Sequence, residues 1–303
     1  MIGTAPNYIN WNYTYACNFN CSHCYSRSPS YPNDLSSDQY KLIADQIVEN
    51  NIFSVGFGGG EPTVRKDLVH IIRRLSEGGV ETNLTSNGSL LTDKYLKALI
   101  DVELSCLLVS LESHLSEIND KIRNQHGALD MACNAIKRAS SSGIKTKIAC
   151  VITSINFDQL EEVVSLAESL GAYGINFKLF RASGGAIQSK HLFELSSIQK
   201  DLLPSKICDL KSNSSIYVES YQDTEEDNCS CGVTQLTIRP NGDVSLCPYS
   251  SKVIGNLMDL SLQQVWNASS ELLQRRDGQP PCLSTLSSTY PYNPTVSTEI
   301  LRK

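Results

Sequence analysis

The chain has 303 residues, with 26 Lys and Arg against 32 Asp and Glu, a net charge of −6, 41% hydrophobic residues and 19% charged ones. Those proportions exclude a disordered or collagen-like chain and fit one large globular unit or one unit with an appendage. The mildly acidic balance offers no footprint for a phosphate backbone, which excludes nucleic acid as a partner. No apolar run approaches roughly 18 residues and Met1–Ile9 lacks a basic and apolar signal segment, so a soluble, cytoplasmic protein without membrane attachment is expected.

In chain order, short β-rich runs at Tyr8–Tyr15, Ser54–Phe57, Glu81–Ser86, Leu107–Leu111, Lys145–Ile152 and Gly174–Phe180 read as strands. Between them, apolar residues recur at helical spacing: Tyr40, Ile43, Ala44 and Ile47; Leu68, Ile71, Ile72 and Leu75; Leu160, Val163, Val164 and Ala167. Ser36 with Gln39 forms a capping-box pattern, and Gly78-Gly79 and Gly171 stand where helices should stop. Strand-then-helix units in series imply a parallel sheet with right-handed crossovers. Six such units fall short of a closed barrel, so the fold class is α/β, an open (β/α)6 TIM-like partial barrel. Its active face should lie at the carboxyl ends of the strands.

After Phe180 the rhythm changes. A turn at Gly184-Gly185 and a polar helix around Leu195–Lys211 lead into a Ser/Asn/Asp/Glu-rich stretch, Ser212–Asn228. A boundary is placed there, dividing the chain into a core, residues 1–211, and a smaller domain with tail, residues 212–303. Leu236 and Ile238, the turn Pro240-Asn241-Gly242-Asp243, then Val244 and Leu246 read as a hairpin. A helix follows around Ser261–Arg276, and the Pro/Ser/Thr-rich tail after Gln279 reads as a loosely ordered wrap.

Eleven cysteines in a reducing compartment suggest metal ligands or catalytic thiols rather than disulfides. Cys106, Cys133, Cys150 and Cys208 occur singly and read as small buried hydrophobes. In contrast, Cys17, Cys21 and Cys24 form a CxxxCxxC loop directly after the first strand. Three thiolates at this spacing can wrap one metal centre, and on a four-iron cubane they leave one iron open. The competing reading is zinc on Cys21 and Cys24 with a distant pair such as Cys229 and Cys231. After the second strand comes Gly58-Gly59-Gly60-Glu61-Pro62-Thr63. Consecutive glycines let backbone approach a ligand, and Glu61 carries a carboxylate suited to an ammonium group, although the run alone equally suits a plain strand-to-helix turn.

Together the two motifs resemble the radical S-adenosylmethionine (radical SAM) superfamily. The resemblance implies a [4Fe-4S] cluster on Cys17, Cys21 and Cys24, and a SAM-binding motif at Gly59, Gly60, Glu61 and Pro62. His23 stands where the family tends to place an aromatic residue before the third cysteine. Val109-Ser110-Leu111-Glu112 with Asn119, Asp120 and Arg123 resembles the family's fourth-strand segment, which implies Ser110 as a SAM contact and Arg123 as the partner of the SAM carboxylate. Glu112 replaces the usual Asp, and its role is open. The implied activity is reductive cleavage of SAM to a 5′-deoxyadenosyl radical that abstracts a substrate hydrogen, with flavodoxin or ferredoxin as reductant.

Cys231-Gly232, Gly242, Cys247-Pro248, Gly255-Asn256-Leu257 and Trp266 resemble the SPASM/twitch appendage of such enzymes, which holds auxiliary iron–sulfur clusters. With Cys282 alone in the tail, one auxiliary [4Fe-4S] cluster is implied, on ligands from Cys229, Cys231, Cys247 and Cys282. A spare thiol among Cys229, Cys231 and Cys247 would serve as a hydrogen donor. The expected substrate is a ribosomally made peptide that is crosslinked or epimerised. With the first strand at Tyr8, no leader-binding domain is expected ahead of it, so a separate recognition protein would be needed. The alternative is a small secondary metabolite such as an aminocyclitol or aminoglycoside, and the remote one a non-catalytic zinc module. Arg181 and Tyr249 are candidate substrate contacts.

Overall fold

The computed structural model describes residues 4–27, 33–220 and 231–274. Strands and helices alternate from the start: β1 (Tyr8–Thr14), α1 (Ser37–Glu49), β2 (Ser54–Gly59), α2 (Leu68–Glu77), β3 (Glu81–Ser86), α3 (Asp93–Ile100), β4 (Cys106–Ser110), α4 (Ser116–Arg123), α5 (Ala128–Ser141), β5 (Thr146–Ile152), α6 (Leu160–Ser169) and β6 (Gly174–Leu179). Then come α7 (Lys190–Phe193), α8 (Ser197–Asn213), β7 (Tyr217–Ser220), β8 (Gln235–Ile238), β9 (Asp243–Ser245), β10 (Gly255–Asn256) and α9 (Leu262–Gln274). No described helix is long and apolar enough to cross a membrane.

The strands form one sheet in the order β10-β9-β8-β1-β2-β3-β4-β5-β6-β7, parallel from β1 through β7. The α/β partial barrel expected from the strand-helix rhythm is thus present. Two features were not legible. A seventh parallel strand, β7, lies inside the polar stretch after Ser212 and pairs with β6, Val218 facing Ile175. At the other edge β8 runs parallel to β1, Ile9 facing Leu236, and the β8–β9 hairpin extends the sheet there.

Alternation along each strand divides the sheet into two unlike faces. Ile9, Trp11 and Tyr13 of β1, Val55 and Phe57 of β2, Leu107 and Val109 of β4, and Ile175 and Phe177 of β6 are fully buried and belong to one apolar core. Helix α1 closes that core with Tyr40, Ile43, Ala44 and Ile47, as its stripe predicts, and the Ser36–Gln39 capping box starts it. Trp11 packs edge-on to Tyr40 at 5.5 Å and stacks on Phe57 at 5.6 Å. The opposite, concave face carries Asn10, Asn83, Thr85, Ser110 and Lys147, all half-buried, with Lys178 exposed. A closed barrel would fill that space with branched apolar side chains. Here half-buried Leu108, Ala149 and Val151 stand among those polar side chains, and the face is reachable from solvent.

Candidate active site

The first strand ends where its backbone must turn across the end of β2. The amide of Gly60 donates to the Thr14 carbonyl at 2.6 Å and that of Glu61 to the Ala16 carbonyl at 2.9 Å. These bonds bring the chain so close that a Cβ at Gly60 would press into the Ala16 carbonyl, and one at Gly59 (φ +103°) would sit 2.5 Å from the Thr14 oxygen. Only glycine fits. Gly58 differs, because a Cβ there meets nothing within 4 Å. The carboxyl end of β2 therefore offers bare backbone to an open space beside the cysteine loop.

Glu61 starts a short 3-10 turn, Pro62–Val64, and both of its oxygens are spoken for. Oε1 accepts from the Thr63 hydroxyl at 2.5 Å, the Thr63 amide at 3.2 Å and the Ser86 hydroxyl at 2.9 Å, while Oε2 accepts from the Asn87 amide at 2.7 Å. The carboxylate thus brackets the end of β2 to the end of β3. Burial raises its pKa above the ordinary value despite the donors from Asn87, Thr63 and Ser86. Asn87 continues the bracket, donating to Asn18 in the cysteine loop at 2.9 Å. Ser86, Asn87 and Asn18 were not singled out from the sequence; Ser86-Asn87-Gly88 after a strand signals only a turn.

In the loop after β1, Cys17 is exposed, Cys24 half-buried and Cys21 buried. Burial pushes Cys17 up to about 11 and raises Cys21, so ligation at either must release a proton. Ser26 anchors the end of the loop, its hydroxyl lying 3.3 Å from Cys24 Sγ and donating to the Gly59 carbonyl at 2.5 Å. Among the described residues no three His, Cys, Asp or Glu side chains converge on a point fit for a single ion. Thiolates on different irons of one cluster need no such convergence.

Behind the loop lies a buried charge cluster. The Arg123 Nη1 donates to Cys21 Sγ at 3.7 Å, and its Nη2 lies 2.8 Å from Glu112 Oε1. His23 Nε2 approaches the same oxygen at 3.2 Å. Ser110, the last residue of β4, is half-buried on the concave side of the same strand end. Arg123 and His23 are each 8% exposed, and Arg123 Nε and His23 Nδ1 are buried without a hydrogen-bond partner. Such orphans next to three thiols and a bare strand end fit a bound anionic cluster with a polar ligand upon it.

Of the C-terminal cysteines, Cys231 and Cys247 are buried on either side of the β8–β9 hairpin, and Gln235 Nε2 donates to Cys231 Sγ at 3.0 Å. Cys229 and Cys282 lie outside the described residues. Two residues beyond Cys247, the Tyr249 ring packs edge-on to Tyr25 of the cysteine loop at 5.2 Å, so this segment reaches the active face. Arg181 and Tyr249 both line a cavity of about 220 Å³ at the carboxyl end of β6. Cys106 and Cys150 are buried as expected of small hydrophobes and Cys133 is half-buried, but Cys208 is exposed on α8, whose weak amphipathic pattern gave no guide to its outward face.

An open parallel barrel with a three-thiol loop on its carboxyl face, backed by a buried cation, defines an iron–sulfur enzyme of the barrel class. A family model described as the radical SAM superfamily matches residues 11–167, and the chain belongs to that superfamily. A second, described as the SPASM iron-sulfur cluster-binding domain, matches residues 229–284. The cofactors are accordingly a [4Fe-4S] cluster and SAM, with an auxiliary iron–sulfur cluster. The chain is 31% identical over 290 residues to the mycofactocin maturase MftC of Mycolicibacterium smegmatis, covering 91% of this chain and 74% of that one. It is 23% identical over 296 residues to the AdoMet-dependent heme synthase of Oleidesulfovibrio alaskensis, covering 88% and 76%. Streptococcus suis SuiB, solved with its precursor peptide SuiA, shares the fold at a TM-score of 0.75 and 17% identity, over 95% of this chain and 68% of that one.

Proposed function

We propose that this chain is a peptide maturase that crosslinks or epimerises a residue of a ribosomally made precursor. The observation that carries this reading is its similarity to a maturase across nine-tenths of the chain. The concave face and the cavity holding Arg181 and Tyr249 supply room for a substrate at the strand ends.

In this reading Cys17, Cys21 and Cys24 hold the catalytic cluster. Gly59, Gly60, Glu61 and Pro62 shape the bed for SAM, with Ser110, Arg123 and His23 around it. When bound, the pair supplies a 5′-deoxyadenosyl radical that takes a hydrogen atom from the substrate. The protein's share is orientation: bare backbone at Gly58–Gly60 admits the ligand, the Glu61 bracket holds that backbone, and Arg123 offers donors to an anion. The auxiliary cluster takes ligands from Cys229, Cys231, Cys247 and Cys282. A thiol left over among Cys229, Cys231 and Cys247 would return a hydrogen atom during epimerisation. The core is residues 1–211 with strand β7 added to its sheet, and the cluster-bearing appendage is the chain after β7, with flavodoxin or ferredoxin as the electron donor.

A second reading, a small-molecule substrate such as an aminocyclitol, finds support in the similarity to a heme synthase. The test is anaerobic incubation of reconstituted enzyme with SAM, reductant, and either candidate precursor peptides or candidate aminocyclitols. Peptide-dependent 5′-deoxyadenosine, with loss of two hydrogens from the peptide or with deuterium gained from heavy water, is the expected result. Turnover stimulated by the small molecule and not by the peptide would overturn the maturase reading.

A further inference from the structure

Glu112 stands at the centre of the cluster behind Cys21, in a position no step above has used. Its burial is nearly complete at 1% exposure. Its polar atoms approach the cysteine loop, α4, β5 and the segment after β5. Oε1 faces Arg123 at 2.8 Å and His23 at 3.2 Å. Oε2 accepts from the Val151 amide of β5 at 2.6 Å. Its own amide donates to Asn119 Oδ1 of α4 at 2.9 Å, and its carbonyl accepts from Asn156 Nδ2 at 2.7 Å. The Ser22 amide, between Cys21 and His23, donates to the Ile122 carbonyl at 2.9 Å and so ties the loop to the end of α4.

From this geometry we infer that Glu112 is a positioning residue for the SAM-binding cluster: it holds the Arg123 guanidinium against Cys21 Sγ and cancels its charge. A cation beside a cluster sulfur favours the reduced, more negative cluster, and hydrogen bonds to the sulfurs act in the same sense. Arg123 alone would therefore raise the potential of a centre that must deliver an electron to a sulfonium. Paired with Glu112, it presents an oriented donor without a net charge. A buried arginine left unpaired is also costly, and the carboxylate that pairs it is itself fixed by the Val151 amide of β5. Arg123 stays protonated at any working pH, so the balance depends on Glu112.

The inference rests on Cys21 being a cluster ligand, and iron counts on Cys21→Ala check that premise separately: unchanged iron defeats the assignment itself. The test proper is a redox titration, without SAM, of Glu112→Gln, Glu112→Asp and Arg123→Met, the relevant cluster being the one whose electron paramagnetic resonance signal is missing when Cys17, Cys21 and Cys24 are all replaced by Ala. Glu112→Gln should favour the reduced cluster about tenfold, an upward shift of about 59 mV for one electron. Glu112→Asp, which keeps the charge, should stay within about threefold of the parent, and Arg123→Met should shift the equilibrium about tenfold the other way, by about 59 mV. An unchanged potential in Glu112→Gln with full iron loading overturns the inference, as does a lower melting temperature with no shift. Should Glu112→Gln fail to load iron, an unchanged potential in Arg123→Met overturns it equally.

Discussion

The helix-facing and concave sides of the same sheet are built on opposite rules. One step along β1 separates Trp11, fully buried among Tyr13, Tyr40 and Phe57, from Asn10, half-buried on the concave side. The first side is an apolar seam in which every residue is fixed by packing. The second mixes Asn, Thr, Ser and Lys with half-buried Leu108, Ala149 and Val151, and faces the place where a substrate can enter. Stability and chemistry are thus divided by a two-residue period, and substitutions should sort by the side on which they fall.

The largest expected effect tests the chemical side. Replacing Cys17, Cys21 and Cys24 together by Ala should remove about four irons per chain and abolish 5′-deoxyadenosine formation, while the auxiliary cluster's irons remain. Cys106→Ala, on a buried thiol at the start of β4, should lose no iron. An iron assay on anaerobically reconstituted proteins reads both. Loss of all iron in the triple variant would remove the auxiliary cluster from the description and leave only the core.

Trp11→Ala makes the converse cut. It empties a fully buried indole site and should cost about 3–5 kcal/mol in denaturant unfolding, while SAM affinity in the folded fraction stays within a few-fold. A Trp11 variant that lost SAM binding without losing stability would break the division between the two sides.

Gly60→Ala is the sharper probe of the border. Its Cβ collides with the Ala16 carbonyl, so the cysteine loop must shift relative to β2. A displacement of about 1 Å at such a point costs about a hundredfold in catalysis. Gly58→Ala meets no protein atom and should fold as the parent does, so any loss of SAM affinity there, read by isothermal titration, reports the ligand's own occupancy of that space.

How much of this was readable beforehand follows from the same division. The helix-facing side advertises itself, since Leu68, Ile71, Ile72 and Leu75 or Leu160, Val163, Val164 and Ala167 can only be one buried stripe each. The cysteine loop and glycine run were legible because their spacing is a local property of the chain. What a linear pattern could not supply was pairing at a distance. Strand β7 is only Tyr217–Ser220, with Val218 its one buried residue, and four residues show no period. A hairpin such as β8–β9 carries no mark of which strand it will join. Glu61 read as a free carboxylate for an ammonium group, and only the fold shows its oxygens taken by Thr63, Ser86 and Asn87. Glu112, open in the sequence, became intelligible once Arg123 and His23 were brought to one oxygen.

The smallest expected effect lies on the concave side, at Glu219 of β7. Its carboxylate meets Lys147 Nζ at 2.8 Å across the sheet, and that contact outweighs burial to hold its pKa below the ordinary value of 4.5. A group whose folded pKa is lowered contributes stability that is present above the unfolded value and lost as the pH falls through the folded one. The pair is partly exposed and screened, so its worth is at most about 1 kcal/mol. Parent and Glu219→Gln should therefore differ slightly in melting temperature at pH 6 and converge as the pH falls below 4.5. A larger or pH-independent gap would mean that Glu219 packs as part of the core. Convergence would show that the gap at pH 6 belongs to the ion pair with Lys147 and not to packing, so that what this face adds to stability is a small electrostatic increment that acid removes.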